Sequence, residues 1–209
     1  MIALAITTGA TDATAFERLG NAFASVITGN LVLLGVGAAG RDGRLAVLSA
    51  CAIAGYAAGV VCAAPRDDQP APAPSTWPRA ATTPLIGGLT LLVVVAVGWE
   101  ASDCRPGSVL QTVLLSVAAA AMGIQSTSIR RLGPISTTYL TSTFVGVFEA
   151  LARRRWSHEH GRSAAILIAA LGGAAAATGL IMSAPRLVPL VILAPLLSVV
   201  VVARGASKQ

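Results

Sequence analysis

Residues 163–203 read SAAILIAALGGAAAATGLIMSAPRLVPLVILAPLLSVVVVA, and Arg186 is their one charged side chain. Two apolar runs, 163–183 and 187–203, flank the break at Ala184-Pro185-Arg186. Each is close to the ~20 residues that an α-helix needs to cross about 30 Å of hydrocarbon. Neither alternates apolar and polar residues with a period of two, so membrane helices are expected and barrel strands are not. The pattern repeats along the chain at 21–40, 45–64, 82–99, 107–129 and 134–152. Residues 1–17 add a shorter eighth segment, a short or broken helix with only 11 residues before Asp12. The reading is an all-α polytopic bundle of seven or eight transmembrane helices, residues 1–209 forming a single transmembrane domain.

Composition agrees. Of 209 residues, 55% are apolar and only 11% charged, and the mean hydropathy is +0.74. A soluble domain carries about 25% charged residues, so this chain lacks the polar side chains to clothe a globule. The formal charge of +6 comes from arginines set singly or in short clusters between apolar runs, without interleaved aromatics. They read as caps of membrane helices, and nucleic-acid binding is not expected. Cys51, Cys62 and Cys104 have no CxxC or Cys/His ligand spacing, so neither a disulfide framework nor a metal site is expected. No cofactor is expected either. No basic residue precedes the first apolar run, so a cleavable leader is not expected.

Arg41-Asp42-Gly43-Arg44 and Arg130-Arg131-Leu132-Gly133 read as tight turns between antiparallel neighbours. Residues 65–81 carry Pro65, Pro70, Pro72, Pro74 and Pro78 and read as an exposed, polyproline-like loop. If all eight segments cross, Arg41, Arg44, Arg105, Arg153, Arg154, Arg155, Arg162, Arg204 and Lys208 share one side. Arg18, Arg66, Arg79, Arg130, Arg131 and Arg186 share the other. The positive-inside rule then puts both termini in the cytoplasm.

A shift of 113 residues lays 12–35 over 125–148 and aligns Arg18-Leu19-Gly20 with Arg131-Leu132-Gly133. Thr14 falls on Thr127, Thr28 on Thr141 and Val32 on Val145. Asp12 falls over Gln125, and Thr28-Gly29-Asn30 over Thr141-Ser142-Thr143. Two repeat units, about 1–99 and 107–203, would each hold four helices. Four is even, so the units would run in the same direction about an axis along the membrane normal.

Polar side chains at membrane depth are the candidate site. Asp12 costs about 2.5–3.5 kcal/mol at mid-bilayer on insertion scales, so it should face the bundle or water. It is either an ion-coupling group or an interfacial cap, given Glu17 and Arg18 a turn beyond it. Asn30 must bond across helices or to something in a cavity, because hydrocarbon offers its amide nothing. Thr28, Thr141 and Thr143 can return their hydroxyls to their own backbone. Gln125 sits in the most polar helix end of the chain, before Ser126-Thr127-Ser128. Gly29, Gly55 and Gly59 are read as helix-packing positions. Glu149, a turn before Arg153, should pair with the arginine cluster, His158-Glu159-His160 reads as a solvated loop, and Pro189 and Pro195 should kink the last span.

The stretches Gly9-Ala10-Thr11-Asp12-Ala13 and Phe23-Ala24-Ser25-Val26-Ile27-Thr28-Gly29-Asn30, with Leu33-Leu34-Gly35 after them, resemble the YoaK family of bacterial membrane proteins, also called DUF1275. Its second signature looks like Ala121-Met122-Gly123-Ile124-Gln125-Ser126 and Thr137-Thr138-Tyr139-Leu140-Thr141-Ser142-Thr143. Ile27, Ser126 and Ser142 depart from the usual Met, Asn and Gly. The resemblance covers nearly the whole chain and implies a multi-pass protein of the bacterial cytoplasmic membrane with undetermined activity.

The functional expectation is a permease for a small polar or charged solute, with Asp12 and Gln125 as gate positions and Asn30 and Thr143 lining a shared cavity. The alternative is a non-transporting scaffold or regulatory protein whose polar residues only lock helices together. No phosphate-binding loop, zinc-protease motif or GxSxG elbow occurs, so an enzyme is unsupported. The expected partners are the lipid bilayer, a small polar solute or ion, and a second copy of the chain.

Overall fold

A computed structural model of the chain describes residues 1–64, 79–130 and 140–206. Residues 65–78 of the expected proline-rich loop, the Arg131-Leu132-Gly133 turn, Thr137, Thr138 and Lys208 lie outside the described residues, and 79–81 begin a helix rather than end the loop. The described residues form eight α-helices: α1 Ile2–Arg18, α2 Ile27–Ala39, α3 Gly43–Ala63, α4 Arg79–Ala101, α5 Ser108–Arg130, α6 Leu140–Ala152, α7 His158–Ser183 and α8 Val188–Ala206. Five are long and apolar enough to cross a membrane: α3, α4 (from Thr82), α5, α7, and α8 taken with the 3-10 turn Pro185–Leu187 before it. Apolar side chains such as Val61, Val97, Ile168 and Val202 face outward along these helices, as lipid requires. The chain is a multi-pass helical membrane protein.

α1 and α5 lie at the centre. Leu4, Ala5, Thr7, Thr8, Ala10, Thr11, Thr14 and Ala15 of α1 are buried, as are eleven residues of α5. α1 packs against α7 and α8, while α5 packs against α3 and α4. α2 lies on α3 and α6 on α7, and α4 meets α8. Two close crossings hold the bundle. A methyl group added to Gly9 of α1 would collide with the Ala170 carbonyl of α7, and one added to Gly173 of α7 with the Ile6 carbonyl of α1. Between α3 and α5, Gly59 stands against the Ala120 carbonyl and Gly123 against the Tyr56 carbonyl. Gly55 stands likewise against Ser116, so the Gly55–Gly59 pair faces α5.

Side-chain bonds establish the helix directions. Gln125, late in α5, donates to the Leu4 carbonyl at 3.3 Å and to Thr8 Oγ1 at 2.9 Å, early in α1. The two central helices are therefore antiparallel. Trp99 Nε1, late in α4, donates to the Pro185 carbonyl at 2.9 Å, and Arg186 pairs with Asp103 at 2.9 Å. The end of α4 thus meets the start of α8. Arg18 Nη2 donates to the Ile181 carbonyl at 3.4 Å and Thr178 Oγ1 donates to Glu17, so α1 and α7 run the same way. Arg44 reaches Gln111, which aligns the starts of α3 and α5. One end of the bundle, here the upper end, collects Arg18, Arg41, Arg44, Arg105 and Arg186. The lower end collects Arg130, Arg153, Arg154, Arg155, Arg162 and Arg204.

This arrangement corrects three expectations. The second segment does not run as a helix from residue 21. Gly20 (φ +112°) and Asn21 (φ +63°) break the chain, and α2 starts only at Ile27. Its 13 residues span about 20 Å, too little to cross. The chain climbs α1 to the upper end, drops back through 19–26 to the level of Asp12, and returns to the upper end in α2. α6 also has 13 residues and ends at the lower end beside α7. With α2 returning to the end it left, the two halves cannot run in the same direction, as α1 against α5 and α4 against α8 confirm. Arg41, Arg44 and Arg105 accordingly lie at the opposite end from Arg153, Arg154 and Arg155. The expected nine-to-six division of basic residues does not hold.

Smaller readings are also resolved. Arg153 pairs with Glu149 at 2.6 Å as expected. His158-Glu159-His160 is the first turn of α7, where His160 Nδ1 meets Ser157 in a capping box. Pro189 falls in the first turn of α8, so Pro195 alone lies inside that helix. Among the described residues, no three His, Cys, Asp or Glu side chains cluster as a metal site.

Candidate functional site

The polar residues of α1 form the core of the site. Thr8, Thr11 and Thr14 return their hydroxyls to carbonyls four residues back, at 2.9, 2.7 and 2.8 Å. These bonds let hydroxyls sit in an apolar interior without orphaned donors. Thr7 instead reaches across to the Ile192 carbonyl of α8 at 3.0 Å. Thr8 and Asp12 are four residues apart and so share a face of the helix.

Asp12 turns to the descending segment 19–26. Ser25 N donates to its Oδ1 at 2.7 Å, and Ser25 Oγ donates to its Oδ2 at 2.5 Å. The carboxylate stands beside the N-terminus of α2, where backbone N–H groups have no intrahelical acceptor and the helix dipole favours negative charge. Asn30 closes the other side of the segment. Its Oδ1 accepts from Phe23 N at 2.9 Å and its Nδ2 donates to Phe23 O at 2.6 Å. The ring of Phe23 stacks on Phe16, centroids 5.0 Å apart. Non-helical backbone at membrane depth survives only if its polar groups are satisfied, and these two side chains serve the Ser25 amide and both backbone groups of Phe23.

Gln125 is the polar residue of α5 that meets α1. Its amide nitrogen serves Leu4 and Thr8, but its Oε1 is buried with no partner among the described residues. Ser49 Oγ on α3 is the other buried side-chain polar atom without a partner among the described residues. Such an acceptor is costly unless something donates to it, which makes the α1–α5 contact the polar weak point of the core.

The structure thus brings Asp12 and Asn30 onto the same three residues, 23–25, and brings Gln125 onto Thr8. It does not bring Asn30 and Thr143 into one cavity. Asn30 is fully buried and its amide is bonded to Phe23, while Thr143 is half-buried on α6, which packs on α7. Thr28 and Thr141 are exposed. Gly29 faces the side chains of Phe23 and Val26 from its own chain. Ser25 and Thr8 are the partners that sequence reasoning missed. The available signal was Ser25, a polar residue inside the apolar run 22–27.

A family model described as "Protein of unknown function (DUF1275)" matches residues 1–203. The UPF0700 transmembrane protein YoaK of Bacillus subtilis (strain 168) is 34% identical over 155 residues, 72% of this chain and 65% of that protein. The match therefore spans somewhat less than two thirds of the relative's own length. No solved structure matches.

Proposed function

The chain belongs to the DUF1275 family, and from that premise we propose that it is a permease for a small polar or charged solute, built from two inverted repeats, α1–α4 and α5–α8. The observation that carries this reading is the pair of glycine crossings. An offset of 114 residues maps Gly9 onto Gly123, Tyr56 onto Ala170, Ile6 onto Ala120 and Gly59 onto Gly173. Each glycine and the carbonyl it faces in the α1–α7 crossing thus has a counterpart in the α5–α3 crossing. An offset of 113 maps α2 onto α6, Ile27 to Leu140 and Ala39 to Ala152.

Inverted repeats with discontinuous helices are a common plan of transporters, because halves of opposite direction give similar access to the two membrane faces. On this plan α2 and α6 are half-spans entering from opposite ends. Asp12 is the ionisable residue that holds the first of them, and Gln125 is the polar station at the α1–α5 contact. The lower end faces the cytoplasm. Arg79 opens α4 there beside Arg130, Arg153, Arg154, Arg155, Arg162 and Arg204, against five arginines at the upper end.

A scaffold that transports nothing is the competing reading. It is favoured by the engagement of Asn30 with its own chain. Flux into proteoliposomes separates the two. The purified chain should pass at least one class of small solute faster than protein-free vesicles, with Asp12→Asn slowing it. Vesicles no leakier than controls for anionic, cationic and neutral solutes would leave the scaffold.

A further inference from the structure

We propose that the upper end holds a binding site for a small anion, a carboxylate or phosphate group, presented by Arg18, Arg105 and Arg186. A cavity of about 490 Å³ opens where three helix ends meet. Arg18 comes from the end of α1, Asp103, Cys104 and Arg105 from the α4–α5 connection, and Ile181, Met182, Pro185 and Arg186 from the α7–α8 connection. The volume suits a small metabolite.

Three guanidinium groups and one carboxylate line it. The carboxylate, Asp103, is already paired with Arg186. The half-buried Arg18 makes one long bond, 3.4 Å to the Ile181 carbonyl, so most of its five N–H donors are unused. The side chain of Arg105 has no hydrogen-bond or ion-pair partner among the described residues. The cavity therefore carries net positive charge, with Ile181, Met182 and Pro185 as the apolar part of its lining. A planar guanidinium matches the paired oxygens of carboxylate or phosphate. A cation would meet the guanidinium groups of Arg18 and Arg105, and the one carboxylate in the lining is already paired with Arg186. The same burial and acidic neighbours Glu100 and Asp103 push the Cys104 thiol up, so that residue stays protonated and does not oppose the anion.

The site names the solute class of the permease reading and rests on it only for transport, because binding can be measured alone. The source of the anion is either a free solute or the headgroup of an anionic lipid. Isothermal titration of the whole chain, in neutral-detergent micelles, with inorganic phosphate and with succinate tests the first. Titration in nanodiscs of phosphatidylcholine with and without phosphatidylglycerol tests the second.

The expected result is saturable binding of phosphate or succinate. It weakens about tenfold or more in Arg105→Gln and Arg18→Gln and is unchanged in Arg44→Gln, an upper-end arginine outside the cavity. Loss of that binding only in phosphatidylglycerol nanodiscs assigns the site to the headgroup and upholds its anion chemistry. No binding of either anion with no effect of phosphatidylglycerol, or binding equal in all variants, overturns the site. Anion binding without vesicle flux keeps the site and removes the permease; flux of cations or neutral solutes without anion binding does the reverse.

Discussion

Asp12 holds Ser25 by both of that residue's polar hydrogens, the amide at 2.7 Å and the hydroxyl at 2.5 Å. One carboxylate on a central helix therefore anchors the segment that turns the chain back into the membrane. The same group is the candidate for ion coupling and the lock on a half-span. If it binds an ion or a proton, the descending segment must respond, because its two bonds accept from Ser25 only while the oxygens are free.

Asp12→Ala should lower stability more than Asp12→Asn. Hydrogen bonds to a charged group contribute about 1.5–3 kcal/mol, and alanine leaves the Ser25 amide without its acceptor. Asparagine keeps one acceptor. Thermal unfolding in detergent should rank wild type above Asn above Ala, and equal values for all three would detach Asp12 from the segment.

Asn30→Ala should cost about 2–4 kcal/mol, since it removes two bonds and orphans both backbone groups of Phe23 at depth. Thr28→Ala, on the same helix but exposed, should stay within about 0.5 kcal/mol of wild type. Comparable losses in the two variants would argue against the Phe23 bracket.

Glycine substitutions should sort by crossing. Gly9→Ala, Gly59→Ala, Gly123→Ala and Gly173→Ala each place a methyl group against a carbonyl and should destabilise strongly and to similar extents. Gly35→Ala and Gly172→Ala meet nothing within 4 Å and should be neutral or stabilising by up to about 1 kcal/mol, as alanine is the better helix former. Unequal losses between Gly9 and Gly123 beyond the scatter of the series would count against the paired architecture.

Single cysteines introduced at Arg41 and Arg155, in a chain with Cys51, Cys62 and Cys104 replaced by serine, should react with an impermeant maleimide from opposite faces of the membrane. If α6 crossed fully, both would react from one face. The labelling pattern in right-side-out and inverted vesicles decides between a half-span and a full span, whatever the transported solute.

How much of the site could be read beforehand follows from what each residue needs. Asp12, Asn30 and Gln125 stood out because hydrocarbon cannot satisfy them, a property of the residue alone. Their partners did not stand out. Ser25 looks like any small polar residue in an apolar run, and Phe23 contributes only its backbone, which every residue shares. The pairing of Arg153 with Glu149 was legible because it is local, four residues apart on one helix. The cavity of Arg18, Arg105 and Arg186 was not, because those residues are separated by most of the chain.

Length, hydropathy and the spacing of charges determined the solvent, the helical class and the polar residues that had to be accommodated. These are sums over neighbouring residues, and the cost of bare backbone in lipid leaves them one solution. Tertiary structure alone decided that 19–26 is not helical and that α2 is a half-span. An apolar stretch of 20 residues carries the same hydropathy whether it crosses or turns back. The choice lies in whether distant side chains supply partners for the freed backbone, as Asp12 and Asn30 do here. Once α2 turned back, α3, α4 and α5 took the opposite direction, and Arg41, Arg44, Arg105 and Arg130 changed face, while α7 still runs with α1.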